Sequence, residues 1–311
     1  MSTTSNTSPW PSRLAWWAVW VSIPLVALGG SVTTLRAGMA ESGWMKPDGI
    51  YLWLYPWEKR VQSAGFFVEH HHREFATLVG FLCIGTILAV VVTKRGKSAL
   101  LTAFIGLAAV GGQGSIGAFR VLKNNPELAF IHGAFGQVVI GVLVGVAVLF
   151  SSRWACAPAA NWTKPARIRT LSIVVLMALL AQIFLGAWYR HGHGHTAIAL
   201  HGFLAIALVY AGISLAKRMK RAAKQEGQDP EVRQILRRSA FWMALFFHLQ
   251  WVLGALALYA LFALSDGMHG EEISRGEIIF ATLHVTVGAM LIGSVVNAFL
   301  WSHRLDTQAT S

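Results

Sequence analysis

The sequence predicts an all-α, polytopic membrane protein with eight transmembrane helices arranged as two pseudo-repeated four-helix bundles. Of its 311 residues, 55% are hydrophobic and only 13% are charged, whereas soluble domains carry about 25% charged residues. Eight apolar stretches approach or exceed the ~20 residues that a helix needs to cross a bilayer. A recurring glutamine and histidine pattern then divides these stretches into hairpins. The stretches are residues 14–32, 72–92, 99–119, 128–150, 169–189, 197–215, 239–264 and 277–300.

The basic residues are concentrated in three loops, and their distribution predicts the orientation of the helices. The formal net charge is +12, and most Lys and Arg residues follow the second, fourth and sixth stretches. Such loops lie on the cytoplasmic side of a membrane, so both termini are predicted to be cytoplasmic. This orientation accounts for the positive charge, and no nucleic-acid partner is predicted.

The N-terminal segment "MSTTSNTSPWPSR" is short and polar, without the features of a cleavable signal or an Arg-rich transit peptide. We therefore expect a multi-pass protein of a bacterial inner membrane. Cys83 lies within the second stretch and Cys156 lies in a cytoplasmic loop. Because the two thiols belong to different elements, no disulfide is predicted.

Four helical hairpins are predicted from a repeated pattern that runs from glutamine through an outer loop to His-Gly. The segments "QGSIGAFRVLKNNPELAFIHG" from Gln113 and "QIFLGAWYRHGHGHTAIALHG" from Gln182 place glutamine and histidine at the same spacing. A third copy begins at Gln250, and "VALGGSVTTL" begins a degenerate first copy. The repeat predicts an N-terminal bundle over 1–150, a cytoplasmic linker over 151–168 and a C-terminal bundle over 169–311. Each hairpin donates one histidine, and these are His72, His132, His201 and His284.

The four repeated histidines are interpreted as ligands of two haem irons. All four fall in the first two turns of helices that enter from the outside, so we place them in the outer half of the membrane. Histidine is the usual axial ligand of haem iron, and bundle sites are built from facing helices. We pair His72 with His132 and His201 with His284. The alternative is a histidine hydrogen-bonded to a neighbouring helix, whereas zinc or copper would require three or four ligands close together.

Glycines near these histidines have two interpretations. They let a flat macrocycle approach the backbone, or they allow close helix packing. The residues are Gly117, Gly133, Gly186, Gly202, Gly254 and Gly288.

A carboxylate accompanies only one of the histidines. Glu69 precedes His72 by three residues, which places both on one helical face, and the other three histidines lack an acidic residue at that spacing. Glu69 either moves protons during chemistry or caps the helix N-terminus. Three arginines near the outer surface either pair with haem propionates or are ordinary interfacial residues, namely Arg73, Arg120 and Arg190.

The remaining histidines are not assigned to a site. His70 and His71 are expected at the membrane interface, and His248 is expected to be a packing or hydrogen-bonding residue. A solvated outer loop is expected to hold His191, His193 and His195, and His269 and His303 are expected at the surface.

Several of these motifs together resemble the heme A synthase family. The resemblance rests on "ExxHR" at Glu69, "GGSVTTLRAGMAESGW" after the first helix, "QGSIG…H" and "QIFLGAWYRH…H". It implies conversion of haem O to haem A by successive hydroxylations of the C8 methyl group to a formyl group. It also implies a substrate haem at His72 and His132, a haem b cofactor at His201 and His284, and Glu69 as the catalytic residue. Many bacterial members carry a cysteine pair in the first outer loop, which this sequence lacks.

The resemblance therefore predicts an oxidoreductase acting on a CH group, serving cytochrome oxidase biogenesis. Haem O synthase and an electron donor are the implied partners beside haem O, haem A and the lipid membrane; a homo-oligomer is also allowed. Two other functions stay open, a non-catalytic two-haem electron carrier and a haem-handling assembly factor. A carrier normally places its haems near opposite membrane faces, whereas all four histidines here are predicted on one side.

Overall fold

The fold is described from a computed structural model for residues 8–40, 43–162, 165–192, 194–264 and 273–305. All regular elements in these ranges are helical, and eight of them are long and apolar enough to cross a membrane. This confirms the predicted all-α membrane protein. The helices are α1 (Trp10–Thr34), α2 (Ala64–Val92), α3 (Lys97–Lys123), α4 (Pro126–Leu149), α5 (Pro165–Arg190), α6 (Gly194–Ala222), α7 (Pro230–Tyr259) and α8 (Arg275–Arg304).

Several helices start before the apolar stretches because their first turns are polar. Helix α2 begins at Ala64, and the Oγ of its N-cap Ser63 accepts a hydrogen bond from the Phe66 amide at 3.1 Å. Asn125 caps α4 in the same way, and Asp229 caps α7. Short polar side chains at these positions satisfy amides that lack a partner in the helix. Helix positions are therefore set by caps rather than by the limits of the apolar sequence.

Two further boundaries differ from the sequence prediction. Helix α5 begins at Pro165, inside the segment predicted as the linker, which itself contains a short helix at Ser152–Cys156. The seventh apolar stretch is divided, because α7 ends at Tyr259 and a π-helical turn follows at Ala260–Leu264.

The segment between α1 and α2 packs onto the start of α2. It contains three short helical turns, Pro47–Gly49, Leu52–Leu54 and Trp57–Arg60. Leu52 and Tyr55 are buried there, and the Tyr55 ring stacks on Phe66 of α2 with centroids 5.5 Å apart. We call this segment the first outer loop.

The helix contacts form two closed rings. Helices α1 to α4 contact one another in chain order, and a contact between α1 and α4 closes the ring. Helices α5 to α8 do the same, and the two rings meet through α1, α4, α5 and α8. These contacts are what two adjacent four-helix bundles require. The repeat relationship between the rings, and the domain boundaries drawn from it, stay predictions.

Small residues bring α4 and α8 close together at the centre. A Cβ atom on Gly141 would lie 3.3 Å from both Ile292 and Val296, and one on Gly293 would lie 3.0 Å from Val144. Glycines at such positions let helix backbones approach within a membrane. This packing holds α4, which carries His132, against α8, which carries His284.

Candidate haem-binding site

The four repeated histidines form two pairs of equal separation. The ring centroids of His72 on α2 and His132 on α4 are 6.2 Å apart, with the ring planes at 81°. The ring centroids of His201 on α6 and His284 on α8 are also 6.2 Å apart, with the planes at 68°. Each pair joins the second and fourth helices of one ring. The structure thus brings together the histidines that the sequence pairs.

The separation within each pair fits one metal ion between two imidazoles. An imidazole nitrogen lies about 2.0 Å from a bound metal and roughly 1.1 Å from its ring centroid, so two opposed rings have centroids about 6.2 Å apart. Among the described residues, no group of three or more His, Cys, Asp or Glu side chains is placed to hold a metal ion. Two histidines would suffice to hold a haem iron, since the macrocycle supplies four further nitrogens.

A glycine on the preceding helix makes room for each imidazole. A Cβ atom on Gly117 would lie 2.7 Å from Cε1 of His132, and one on Gly186 would lie 2.9 Å from Cε1 of His201. The same holds for Gly29 against His72 and for Gly254 against His284, at 2.8 and 3.0 Å. These glycines therefore accommodate the histidine rings. Gly29 was not singled out from the sequence, although the Gly-Gly of the first hairpin was its signal.

The other glycines near the ligands have separate surroundings. A Cβ on Gly133 would lie 3.0 Å from His191, and one on Gly288 would lie 3.0 Å from Gln137, while nothing lies within 4 Å of a Cβ on Gly202.

Main-chain carbonyls orient three of the four rings. Nδ1 of His72 donates to the Leu25 carbonyl at 3.1 Å, Nδ1 of His132 to Gln113 at 3.2 Å and Nδ1 of His201 to Gln182 at 3.1 Å. A carbonyl on Nδ1 fixes the tautomer that leaves Nε2 free to bind a metal. His284 has no such carbonyl contact, since its Nε2 lies 3.1 Å from Nε2 of Gln250 and its buried Nδ1 has no hydrogen-bond partner.

Glu69 is buried and ion-paired. Its side chain is 3% exposed, and its Oε1 accepts a hydrogen bond from the Arg73 guanidinium at 2.8 Å. Arg73 also donates to the Gly43 and Trp44 carbonyls of the first outer loop, at 2.8 and 3.0 Å. The N-cap of α2 is Ser63, six residues earlier, so the capping interpretation of Glu69 is wrong. The structure places a carboxylate inside the protein, one turn from His72.

Arg120 and Arg190 meet other parts of the protein. The Arg120 guanidinium lies against Gly38 of the first outer loop, where a Cβ atom would overlap it. Arg190, at the end of α5, donates to the Gly30 carbonyl at 2.9 Å and to Oγ1 of Thr34 at 2.6 Å. It therefore connects α5 to α1. Contacts of these arginines, and of Arg73, with haem propionates stay predictions.

An ion pair between the first outer loop and α2 was missed from the sequence. Arg60 pairs with Glu74 of α2 at 2.9 Å and also donates to the Tyr55 carbonyl at 2.7 Å. His70 is fully buried between Tyr55 and Phe66, and its place at the membrane interface stays a prediction. The basic residue in the loop and the acidic residue of α2 were the only signals of the ion pair in the sequence.

The other unassigned histidines fall in varied surroundings. His191 lies against Phe130 of α4, with ring centroids 6.3 Å apart, rather than in a fully solvated loop. Nδ1 of His248 lies 2.6 Å from the Ala244 carbonyl within α7, as expected for a hydrogen bond inside the helix. His193, the His195 side chain and His269 lie outside the described residues.

The fold and the paired histidines define a polytopic membrane protein whose helices present facing imidazoles at two points. The family model described as cytochrome oxidase assembly protein, COX15-CtaA, matches residues 12–199, well over half of the chain. The chain belongs to this family.

The chain is also similar to curated proteins that carry the name heme A synthase. It is 29% identical over 214 residues to the one from Rhizorhabdus wittichii, covering 58% of this chain and 60% of that protein. It is 26% identical to those from Anaplasma marginale and Brucella anthropi, covering 54% and 53% of this chain and 56% and 53% of those proteins. The aligned region thus spans between half and two thirds of each relative.

Proposed function

We propose that this chain is a heme A synthase, an oxidoreductase that converts the C8 methyl group of haem O to a formyl group for cytochrome oxidase biogenesis. His72 and His132 would hold the substrate haem, and His201 and His284 would hold a haem b cofactor. The protein would lie in a bacterial inner membrane with both termini in the cytoplasm. It would receive haem O from a haem O synthase and exchange electrons with a separate donor.

One observation carries this proposal: among the described residues, a buried carboxylate lies three residues before a ligand in only one of the two equally spaced histidine pairs. Glu69 lies three residues before His72 on α2. The corresponding positions before the other ligands are Ala129, Ile198 and Ala281. A site that only carries electrons has no need of a buried acid, whereas oxidation of a methyl group releases protons that must be removed. The asymmetry supports chemistry at the first pair.

The surrounding side chains hold Glu69 in place for this role. When bound, haem iron supplies the redox chemistry. Arg73 holds the Glu69 carboxylate through one hydrogen bond and the first outer loop through two more. Glu69 is thereby fixed near His72 and shielded from water, as a proton acceptor beside the reacting methyl group needs to be.

The names of the relatives favour the same function over the two alternatives. An electron carrier and an assembly factor would both leave haem O unchanged. The decisive experiment expresses this chain with a haem O synthase in a bacterium that lacks haem A, and separates acid-extracted haems by chromatography. We expect haem A, with smaller amounts of a hydroxylated intermediate. Extracts containing only haem O and haem b, from cells with the folded protein in their membranes, would contradict the proposal.

A further inference from the structure

Glutamine side chains accompany three of the four histidine ligands. Nε2 of Gln113 donates to the His132 carbonyl at 2.8 Å, and Nε2 of Gln182 donates to the His201 carbonyl at 2.9 Å. Gln250 makes a different contact, since its Nε2 lies 3.1 Å from Nε2 of the His284 ring and not at the His284 carbonyl. We call these three side chains the glutamine clamps, because each joins the helix before the loop to the histidine after it.

Two neighbouring glycines leave room for the side chains of Gln113 and Gln250. A Cβ atom on Gly136 would lie 3.1 Å from Nε2 of Gln113, and one on Gly288 would lie 3.3 Å from Nε2 of Gln250. Each clamp also lies four residues before the glycine that faces the histidine ring. The clamps are thus a repeated feature of the ligand hairpins.

The hairpin that carries His72 has no clamp. Its equivalent position is Leu25, which lies four residues before Gly29 and whose carbonyl accepts from Nδ1 of His72 at 3.1 Å. The leucine side chain has no amide to donate. The first histidine pair therefore has one clamp, at Gln113, and the second pair has two, at Gln182 and Gln250.

We propose that Leu25, at the position where the other three hairpins have glutamine, makes His72 the ligand that lets haem enter and leave. The hydrogen bond from Gln182 to the His201 carbonyl holds the second pair in place, so that this pair retains its haem. This inference rests on the proposed function, in which the first haem is a substrate that exchanges and the second is a resident cofactor. It makes Leu25 and the three glutamines positioning residues that distinguish the two sites.

Haem release from the purified full-length protein tests the proposal. The protein is loaded with iron protoporphyrin IX, mixed with excess apomyoglobin and followed by absorbance. We expect a fast and a slow phase. Leu25→Gln should slow only the fast phase and Gln182→Leu should accelerate only the slow phase, each by about fivefold, the factor that one hydrogen bond of average strength gives.

Leu25→Met is the matched control, because it keeps the volume without adding an amide, and it should release haem at wild-type rates. Carbon monoxide binding to the reduced protein gives a second readout, since it requires an open position on the iron. Gln182→Leu should increase the fraction that binds carbon monoxide, and Leu25→Gln should decrease it. If Leu25→Gln does not bind haem, Gln182→Leu decides the question alone.

A single release phase in the wild type, or phases that no clamp substitution changes, would overturn the proposal. The outcome is separable from that of the proposed function. If the clamp variants change haem release but the chain makes no haem A, the role of the clamps is supported and the synthase assignment is wrong. If the chain makes haem A but the clamp variants do not change haem release, the synthase assignment is supported and the role of the clamps is wrong.

Discussion

At the scale of single residues, each histidine ring is accommodated because the residue that faces it is a glycine, which has no Cβ atom. The Cβ positions of Gly29, Gly117 and Gly186 lie less than 3.0 Å from an imidazole atom, closer than real Cβ contacts, and that of Gly254 lies at 3.0 Å. The glycines cost helix stability, about 1 kcal/mol each relative to alanine. In each case the glycine leaves the space that the histidine ring occupies.

Gly186→Ala should therefore displace His201 and weaken haem binding at the second pair by about 1–3 kcal/mol, the usual cost of overpacking. Absorption spectra of the reduced protein at limiting haem would show the loss of low-spin signal. Gly202→Ala is the control, because nothing lies within 4 Å of its Cβ position. Equal haem binding by the two variants would show that the ring does not need this space.

The Glu69 carboxylate is the second residue-scale feature with a testable role. Glu69→Gln keeps size and hydrogen bonding but cannot accept a proton. We expect this variant to bind both haems. It should form haem A at about one hundredth of the wild-type rate or below, and it should accumulate haem O or a hydroxylated intermediate. Extracted haems from co-expressing cells give the measurement. Glu127→Gln, at an exposed acid in the first turn of α4, should make haem A normally. Normal haem A from a folded Glu69→Gln protein would remove the catalytic role.

At the scale of elements, two arginines attach the first outer loop to α2. Arg73 reaches from the helix to the loop carbonyls of Gly43 and Trp44, and Arg60 reaches from the loop to Glu74. The described part of the loop is thus held by one ion pair, by the hydrogen bonds of Arg73 and by the buried Leu52 and Tyr55.

Glu74→Gln should loosen this loop, because removing one partner of a largely buried ion pair costs about 3–5 kcal/mol. Chymotrypsin would then cleave at the exposed aromatic residues of the loop, such as Trp53, faster than in the wild type. Glu58→Gln alters an exposed acid of the same loop and should leave the cleavage rate unchanged. Cleavage of both variants at the wild-type rate would mean that apolar packing alone holds the loop.

At the scale of the whole molecule, much of the architecture was predictable from the sequence. The eight helices and the histidine pairs follow from apolar length and from the Gln-to-His spacing, which are properties of the local chain. The burial of His70, the Arg60–Glu74 pair and the contact of Arg190 with α1 were not predictable. Each depends on how the first outer loop and α5 pack against other elements. A local sequence pattern does not determine contacts between segments that are distant in the chain.

The distribution of basic residues predicts a common side for both sites. All four histidines follow loops that are predicted to lie outside, so both haems should lie near the periplasmic face. Alkaline phosphatase inserted after Asn124 should be active, and green fluorescent protein fused after Ser311 should fluoresce. Phosphatase inserted after Lys94, in a loop predicted to be cytoplasmic, serves as the control and should be inactive. The reverse pattern of activity would place the ligands on the cytoplasmic side.

The central claim is that each histidine pair holds one haem, and counting haems per chain tests it most directly. The purified protein is loaded with iron protoporphyrin IX, and bound haem is measured by pyridine haemochrome assay beside electron paramagnetic resonance of the low-spin iron. We predict two six-coordinate haems in the wild type. His132→Ala and His284→Ala should each lose the low-spin signal of one haem and keep that of the other. Two unchanged low-spin signals in both variants would contradict the account.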